Sequence, residues 1–331
     1  MPEAIRALKY STEAWLALAI LVLAVVWTIA TPHFLTVPNL IDLVESYTVT
    51  AVLAMGLFVV LVSGGIDISF AATASVAQYI AALAAARWGW PPAAALGIGL
   101  AVGVLLGLIN AVLIHGVKIT SIIVTIATMS VYFALLMYFT GGKSIYDLPD
   151  WWSKRVTFYR TETAGGDIIR ITLPLLVMVA AVVGTWALMN KTAVGRQVYA
   201  MGGNPEAARR VGIGIGRLHL FVYGFMGFMA AVAGLLQAHR VGESVPNAMV
   251  GSELNVVAAA VLGGASLTGG IGSVGGVILG ILMLAIIQNG LNLIGVSPYF
   301  FQIVIGLVIL VSTSATGLSN RPSRRSRRAL A

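Results

Sequence analysis

Lys191-Thr-Ala-Val-Gly-Arg-Gln-Val-Tyr-Ala-Met-Gly-Gly-Asn-Pro-Glu-Ala-Ala-Arg-Arg-Val-Gly-Ile-Gly-Ile-Gly-Arg217 is a hydrophilic island between two long apolar runs, 172–189 and 218–238. It carries five basic residues and one acidic residue. Its local signals agree on one short helix. Asn204 is placed to cap it, Pro205 takes the first position, and Glu206 lies in the first turn. Arg209 and Arg210 fall near the end, and Gly212 can stop it. A helix this short does not persist in water on its own hydrogen bonds, so its expected role is to be gripped by a soluble partner. The residues expected to make that contact are Gly202, Gly203, Asn204, Pro205, Glu206, Ala207, Ala208 and Arg209.

Outward from the island the chain is apolar. Of its 331 residues 59% are hydrophobic and 10% charged, and the mean hydropathy is +0.95, far from the balance of a soluble domain. Apolar runs fall at 14–31, 48–63, 70–86, 92–114, 119–140, 172–189, 218–238, 252–268, 273–292 and 298–315, each about long enough to cross ~30 Å of hydrocarbon. This predicts an all-α, polytopic membrane protein of about ten transmembrane helices. Gly263 and Gly264 interrupt the eighth run and the third is short and alanine-rich, so either can be a broken or re-entrant helix. With both termini on the island side, thirteen Lys and Arg lie on that side and seven on the other, which predicts cytoplasmic termini. The expected organisation is a single transmembrane domain over 1–331. It has a cytoplasmic loop at 191–217, one sizeable outer loop at 141–170 and a basic cytoplasmic tail at 318–331 that meets anionic membrane lipid. The first run has no small-residue cleavage site and is expected to be retained.

Two internal echoes suggest an inverted repeat. Leu108-Ile-Asn110-Ala-Val-Leu-Ile-His-Gly116-Val117 resembles Ile287-Gln-Asn289-Gly-Leu-Asn-Leu-Ile-Gly295-Val296, and Gly64-Gly-Ile-Asp-Ile-Ser69 resembles Gly263-Gly-Ala-Ser-Leu-Thr268. Repeats meeting at glycine-broken helices are how transport pathways are built. Asp67 and Ser69 can cap the helix that follows them or stand in a substrate path, because a carboxyl near the hydrocarbon must be paired or solvated. Other polar side chains in the spans are Gln78, Asn110, Gln237, Glu253, Asn255, Gln288, Asn289, Asn292 and Gln302. Amides can bond the hydroxyls of a neutral solute or bond between helices. Gln78, Asn110, Asn289 and Asn292 join Asp67 and Ser69 as the candidate pathway or gate. Gly272, Gly276 and Gly280 recur every four residues, a face for close helix packing. In the 141–170 loop, Tyr146, Trp151, Trp152, Phe158 and Tyr159 can form an interfacial belt or a docking surface.

Chemistry is not expected. The chain has no Gly-x-x-x-x-Gly-Lys-Ser/Thr phosphate loop and no cysteine, and His33, His115, His219 and His239 lack metal-ligand spacing. No catalytic residue, metal or nucleic-acid partner is predicted.

Ser63-Gly-Gly-Ile-Asp-Ile-Ser69, Val198-Tyr-Ala-Met-Gly-Gly-Asn-Pro-Glu-Ala-Ala208, Leu262-Gly-Gly-Ala-Ser-Leu-Thr-Gly-Gly-Ile-Gly-Ser273 and Asn289-Gly-Leu-Asn-Leu-Ile-Gly-Val296 closely resemble the permease subunits of bacterial ATP-binding-cassette importers for simple sugars, the ribose permease group. The likeness runs in order over nearly the whole chain. Phe70-Ala71 and Thr120-Ser-Ile-Ile123 depart from the group's usual Val-Gly and Pro-Thr-Phe-Ile. The resemblance implies a multi-pass inner-membrane subunit, paired with an identical or related permease chain. A cassette ATPase carrying ATP and Mg would grip the 199–213 segment, and a periplasmic binding protein would deliver a monosaccharide or related polyol. The 141–170 loop would then be periplasmic. A permease for branched-chain amino acids is the nearest alternative, against which Gly-Gly-Ile-Asp argues. An ion-coupled sugar carrier is another, and it would need more buried charge than Asp67 and Glu253.

Overall fold

The computed structural model describes residues 12–162, 168–297, 299–307 and 310. We number the elements α1 Thr12–Ala30, α2 Val37–Ser46, α3 Thr48–Val62, α4 Phe70–Ala86, α5 Pro92–Val117, α6 Ser121–Thr140, α7 Asp150–Ser153, β1 Thr157–Glu162, β2 Ile168–Thr172, α8 Leu173–Lys191, α9 Ala193–Gly203, α10 Pro205–Arg210, α11 Ile215–Val241, α12 Glu253–Leu262 and α13 Val274–Leu293. A further helical stretch covers 299–307. The ends follow local chemistry. Proline opens α2, α5, α8 and α10, where its missing N–H costs nothing. Thr192, Asn204 and Ser273 cap α9, α10 and α13 with side-chain oxygens.

Among the described residues six helices are long and apolar enough to cross a bilayer, α1, α5, α6, α8, α11 and α13, and α2 with α3 makes a seventh if that pair, bent by 43°, is one span. α4 has 17 residues and α12 has 10, and at 1.5 Å per residue α12 reaches about 15 Å, half the hydrocarbon core. Both expected weak points are therefore short, and α12 stops at Gly263. The last expected run, 298–315, is described only in part. Arg6, Lys9 and the 318–331 tail, on which the expected orientation depends, lie outside the described residues.

The side chains of α3 are nearly all buried. An all-apolar helix goes to the centre of a bundle, and α3 packs there with α8, α11, α12 and α13 around it. Lipid tails are as apolar as leucine, so close backbone packing takes over from the hydrophobic effect. It is clearest between α5 and α11: a methyl on Gly107 would stand 3.2 Å from Gly227 Cα, and one on Gly103 would stand 2.5 Å from the Gly227 carbonyl. The expected glycine face on α13 is shorter than its spacing suggests. Gly276 and Gly280 press on α12 at Gly263 and Ala259, but Gly272 lies before the helix with φ +147°. The Ser273 cap explains this, because it fixes the helix start beyond Gly272.

Contacts sort the connections into two ends. At one, Gly270 N donates to the Val62 carbonyl at 2.9 Å, Ile66 N donates to Ser121 Oγ at 2.9 Å, and Ser273 Oγ bonds Glu13. At the other, Ile145 bridges Ser244, Arg87 pairs with Asp147, Gln78 donates to the Val245 carbonyl and Arg240 donates to the Ser46 carbonyl. In the 141–170 loop Trp152 is a structural pin. It is 3% exposed, stacked on Trp151, and donates to the Leu235 carbonyl at 3.2 Å. Tyr146, Phe158 and Tyr159 remain exposed, the latter two on the β1–β2 hairpin.

Candidate functional site

The glycine echo is a shared helix stop. After α3, Gly64 N donates to the Leu61 carbonyl and Gly65 N to Val60; after α12, Gly264 N donates to Val261 and Ala265 N to Ala260. Both Gly64 and Gly264 have φ +86°, the left-handed conformation that closes a helix without a Cβ clash. The match aligns residue 64 with 264, one position off the pairing read from sequence. Both helices also end at the same face of the protein, so this echo is a parallel repetition. The asparagine echo does invert: α5 carries Asn110 toward the island end and α13 carries Asn289 away from it.

The stop after α3 and the glycine loop that follows the α12 stop meet the island at Gly202. A methyl on this residue of α9 would overlap the Val62 carbonyl oxygen and lie 2.7 Å from Gly270 N and 3.0 Å from the Ser63 carbonyl carbon. Tyr199, one turn earlier, donates to the Gly272 carbonyl at 2.8 Å. The next residues stand clear. Gly203, Asn204, Pro205, Glu206 and Ala207 are exposed, while Ala208 is 3% exposed and Arg209 lies outward. Asn204 Oδ1 accepts from Ala207 N at 2.9 Å. α10 is therefore a small capped knob on a stem, α9, that touches the stop after α3 and the glycine loop at 270–272 that follows the α12 stop.

At the far end, a cavity of about 470 Å³ opens between α2, α3, α12, α13 and the helix at 299–307. This is the size of a small-molecule pocket. Asn39, Asn255, Gln288, Asn289 and Asn292 contribute amides, and Ser46, Tyr47 and Thr50 contribute hydroxyls. Among the described residues Asp42 is the one charged group in the lining, and no Lys, Arg or His is there. Asn39 and Asn289 hold each other by reciprocal bonds, Nδ2 of Asn39 to Oδ1 of Asn289 at 3.0 Å and the reverse at 2.8 Å. Tyr47 donates to the Leu284 carbonyl at 3.3 Å and also bonds Gln288. Sequence reasoning missed Asn39, Asp42 and Tyr47, because α2 mixes polar with apolar residues and Tyr47 lies at its junction with α3, outside the apolar run at 48–63.

The remaining candidates are sealed inside. Asp67 Oδ1 accepts from Ser69 N and Ser69 Oγ, each at 2.7 Å. Asn110 Nδ2 donates to Ser69 Oγ at 2.7 Å, and Tyr132 donates to Asn110 Oδ1 at 3.4 Å and to the Leu106 carbonyl at 3.1 Å. This buried chain ties α4, α5 and α6 together. Gln78, also fully buried, holds the segment after α11 through Val245. Asp67, Ser69, Gln78 and Asn110 line neither the amide cavity nor the basic cavity beside Gly202, which includes His115, Lys118, Arg209 and His219. Among the described residues no group of three His, Cys, Asp or Glu is placed to hold a metal.

Comparison with known proteins adds a family. Residues 39–313 match the family described as branched-chain amino acid transport system / permease component. The chain is 32% identical over 318 residues to a ribose import permease protein of Escherichia coli, covering 92% of this chain and 95% of that one. It is 35% identical over 296 residues to the ribose import permease protein of Bacillus subtilis, covering 89% of each. It is 32% identical over 325 residues to a galactose/methyl galactoside import permease protein of Escherichia coli, covering 94% of this chain and 96% of that one. No solved structure matches.

Proposed function

The chain belongs to the branched-chain amino acid transport system / permease component family of multi-pass membrane proteins, and on that premise we propose that it is the transmembrane subunit of an ATP-binding-cassette importer for a monosaccharide or related polyol. The observation that carries the substrate class is the lining of the amide cavity. Amides and hydroxyls suit neutral hydroxyl-rich solutes. An amino acid would bring a carboxylate, which calls for a cation, and the described residues of the lining supply none.

In this reading Asn289 and Asn292, with Asn39 and Asn255 beside them, belong to the substrate path. Asp67, Ser69, Gln78 and Asn110 hold the helices that shape it. The capped α10 knob, Asn204 through Arg209, seats in a cassette ATPase that binds ATP and Mg. Gly202, expected from the sequence to touch the ATPase, is buried and ends with Gly203 the α9 stem, which passes the displacement of the knob to the end of α3 and to the glycine loop after α12. A periplasmic binding protein delivers the sugar at the 141–170 side, a second permease chain completes the path, and the assembly sits in the inner membrane.

The test is reconstitution. Vesicles holding this chain, its ATPase and its binding protein are expected to accumulate labelled ribose, galactose or arabinose only with ATP, and to leave leucine outside. Leucine accumulation, or sugar uptake by the chain alone on a sodium or proton gradient, would overturn the proposal.

A further inference from the structure

A second cavity, of about 490 Å³, lies between α4 and α6 with Leu106 of α5 as its floor. It takes no part in the route above. Its walls are Val76, Ile80, Leu83, Leu135 and Phe139, and Leu135 and Phe139 are 50% and 78% exposed, so it opens sideways toward lipid. Among the described residues charge stands only at one mouth, with Arg87 and Lys143. Trp88 and Trp90, both exposed, follow Arg87 in the chain, and aromatic residues gather at the headgroup level. From Val76 to Arg87 the α4 wall runs eleven residues, about 16 Å of helix, which is half of a ~30 Å hydrocarbon core. The groove is one leaflet deep.

We propose that this groove binds one anionic phospholipid of the leaflet on the 141–170 side, with an acyl chain along α4 and α6 and the phosphate at Lys143 and Arg87. Charge complementarity selects the headgroup. Lys143 is exposed and Tyr79 fixes its backbone by donating to its carbonyl at 2.9 Å. Arg87 spends one bond on Asp147, an ion pair with both side chains more than half exposed. Such a pair holds weakly, and the guanidinium has further donors for a phosphate oxygen. The lipid has a neighbour with structural consequence: Tyr132 lines the groove and its hydroxyl reaches Asn110. A filled groove therefore braces the ring that anchors the buried Asp67–Ser69–Asn110 chain.

The experiment is native mass spectrometry of the full-length protein released from nanodiscs of equal phosphatidylglycerol and phosphatidylethanolamine with identical tails. Retention of one phosphatidylglycerol in preference to phosphatidylethanolamine is expected, with at least a tenfold loss in the double variant Arg87→Glu, Lys143→Glu. Leu135→Trp, which fills the groove from its exposed side, is expected to expel the lipid with the charges intact. A diazirine-tailed phosphatidylglycerol is expected to label peptides of α4 and α6. Equal retention of the two lipids, unchanged retention in the variants, labelling confined to other helices, or displacement of the lipid by inorganic phosphate would each overturn the proposal.

Discussion

Gly202→Ala is the smallest change that tests whether the island is mechanically joined to the end of α3 and the glycine loop after α12. Its methyl would strike the Val62 carbonyl and approach Gly270 N to 2.7 Å. These are backbone atoms already bonded to each other at 2.9 Å, so no rotamer relieves the overlap. Overpacking of this kind costs about 1–3 kcal/mol. Gly203→Ala is the matched control. Its methyl meets nothing within 4 Å, and in a helix the change is neutral or gains up to about 1 kcal/mol. The two variants should thus differ by about 1–4 kcal/mol, which is roughly 5- to several-hundred-fold in the population whose joint is closed. Measured side by side in cells carrying the ATPase and binding protein, Gly202→Ala should insert, retain the ATPase and lose sugar uptake. Gly203→Ala should transport normally. Equal uptake and equal thermal midpoints for the two would refute the joint.

Ala207→Trp, on the exposed side of α10, is expected to leave membrane insertion intact while abolishing both ATPase co-purification and uptake; wild-type levels of both would show that α10 is an ordinary solvated helix. Asn289→Ala breaks the reciprocal pair with Asn39 and should lower uptake more than assembly, which radiolabelled transport normalised to purified complex would read. Asn110→Ala should do the reverse, destabilising by about 1–3 kcal/mol as a buried partner is lost, with surviving complexes transporting normally. Gly227→Ala presses a methyl on Gly103 and should cost about 1–3 kcal/mol, seen as a lower melting temperature in detergent.

What the sequence made legible was what depends on near neighbours. The Asn204 cap and Pro205 start act within three residues, and α10 forms where they put it. The shortness of α4 and α12 followed from composition and from Gly263. Features set by distant partners were hidden. α2 contains Asn39, Asp42 and Glu45, which lower its hydropathy, and its place is set by Asn289, 250 residues away. Spacing alone could not separate Gly272, in a turn, from Gly276 and Gly280, in a helix. The better signal was Ser273, whose cap marks the boundary. The Gly99, Gly103 and Gly107 series on α5 has the same four-residue spacing, but Gly99 packs first on Ala77 and Ala81 of α4 while Gly103 and Gly107 pack on α11, so the pattern was readable but its partners were not. The candidate amides divided for a similar reason, since burial of Asn110 and exposure of Asn292 depend on which helices surround them.

α1 packs chiefly on α13, with the Trp27 ring against Gly290, and the nearby Asn39–Asn289 pair spans 250 residues. At ribosomal rates of roughly 5–20 residues per second, α1 and α2 wait on the order of 10–50 s for the surface they need. Throughout that interval the nascent chain must keep Trp27 and Asn39 in lipid or at the insertion machinery without their mates. The amide cavity is thus among the last parts of the protein to exist, so a ribosome stalled before α13 leaves a chain whose island has been made but whose amide-lined path has not.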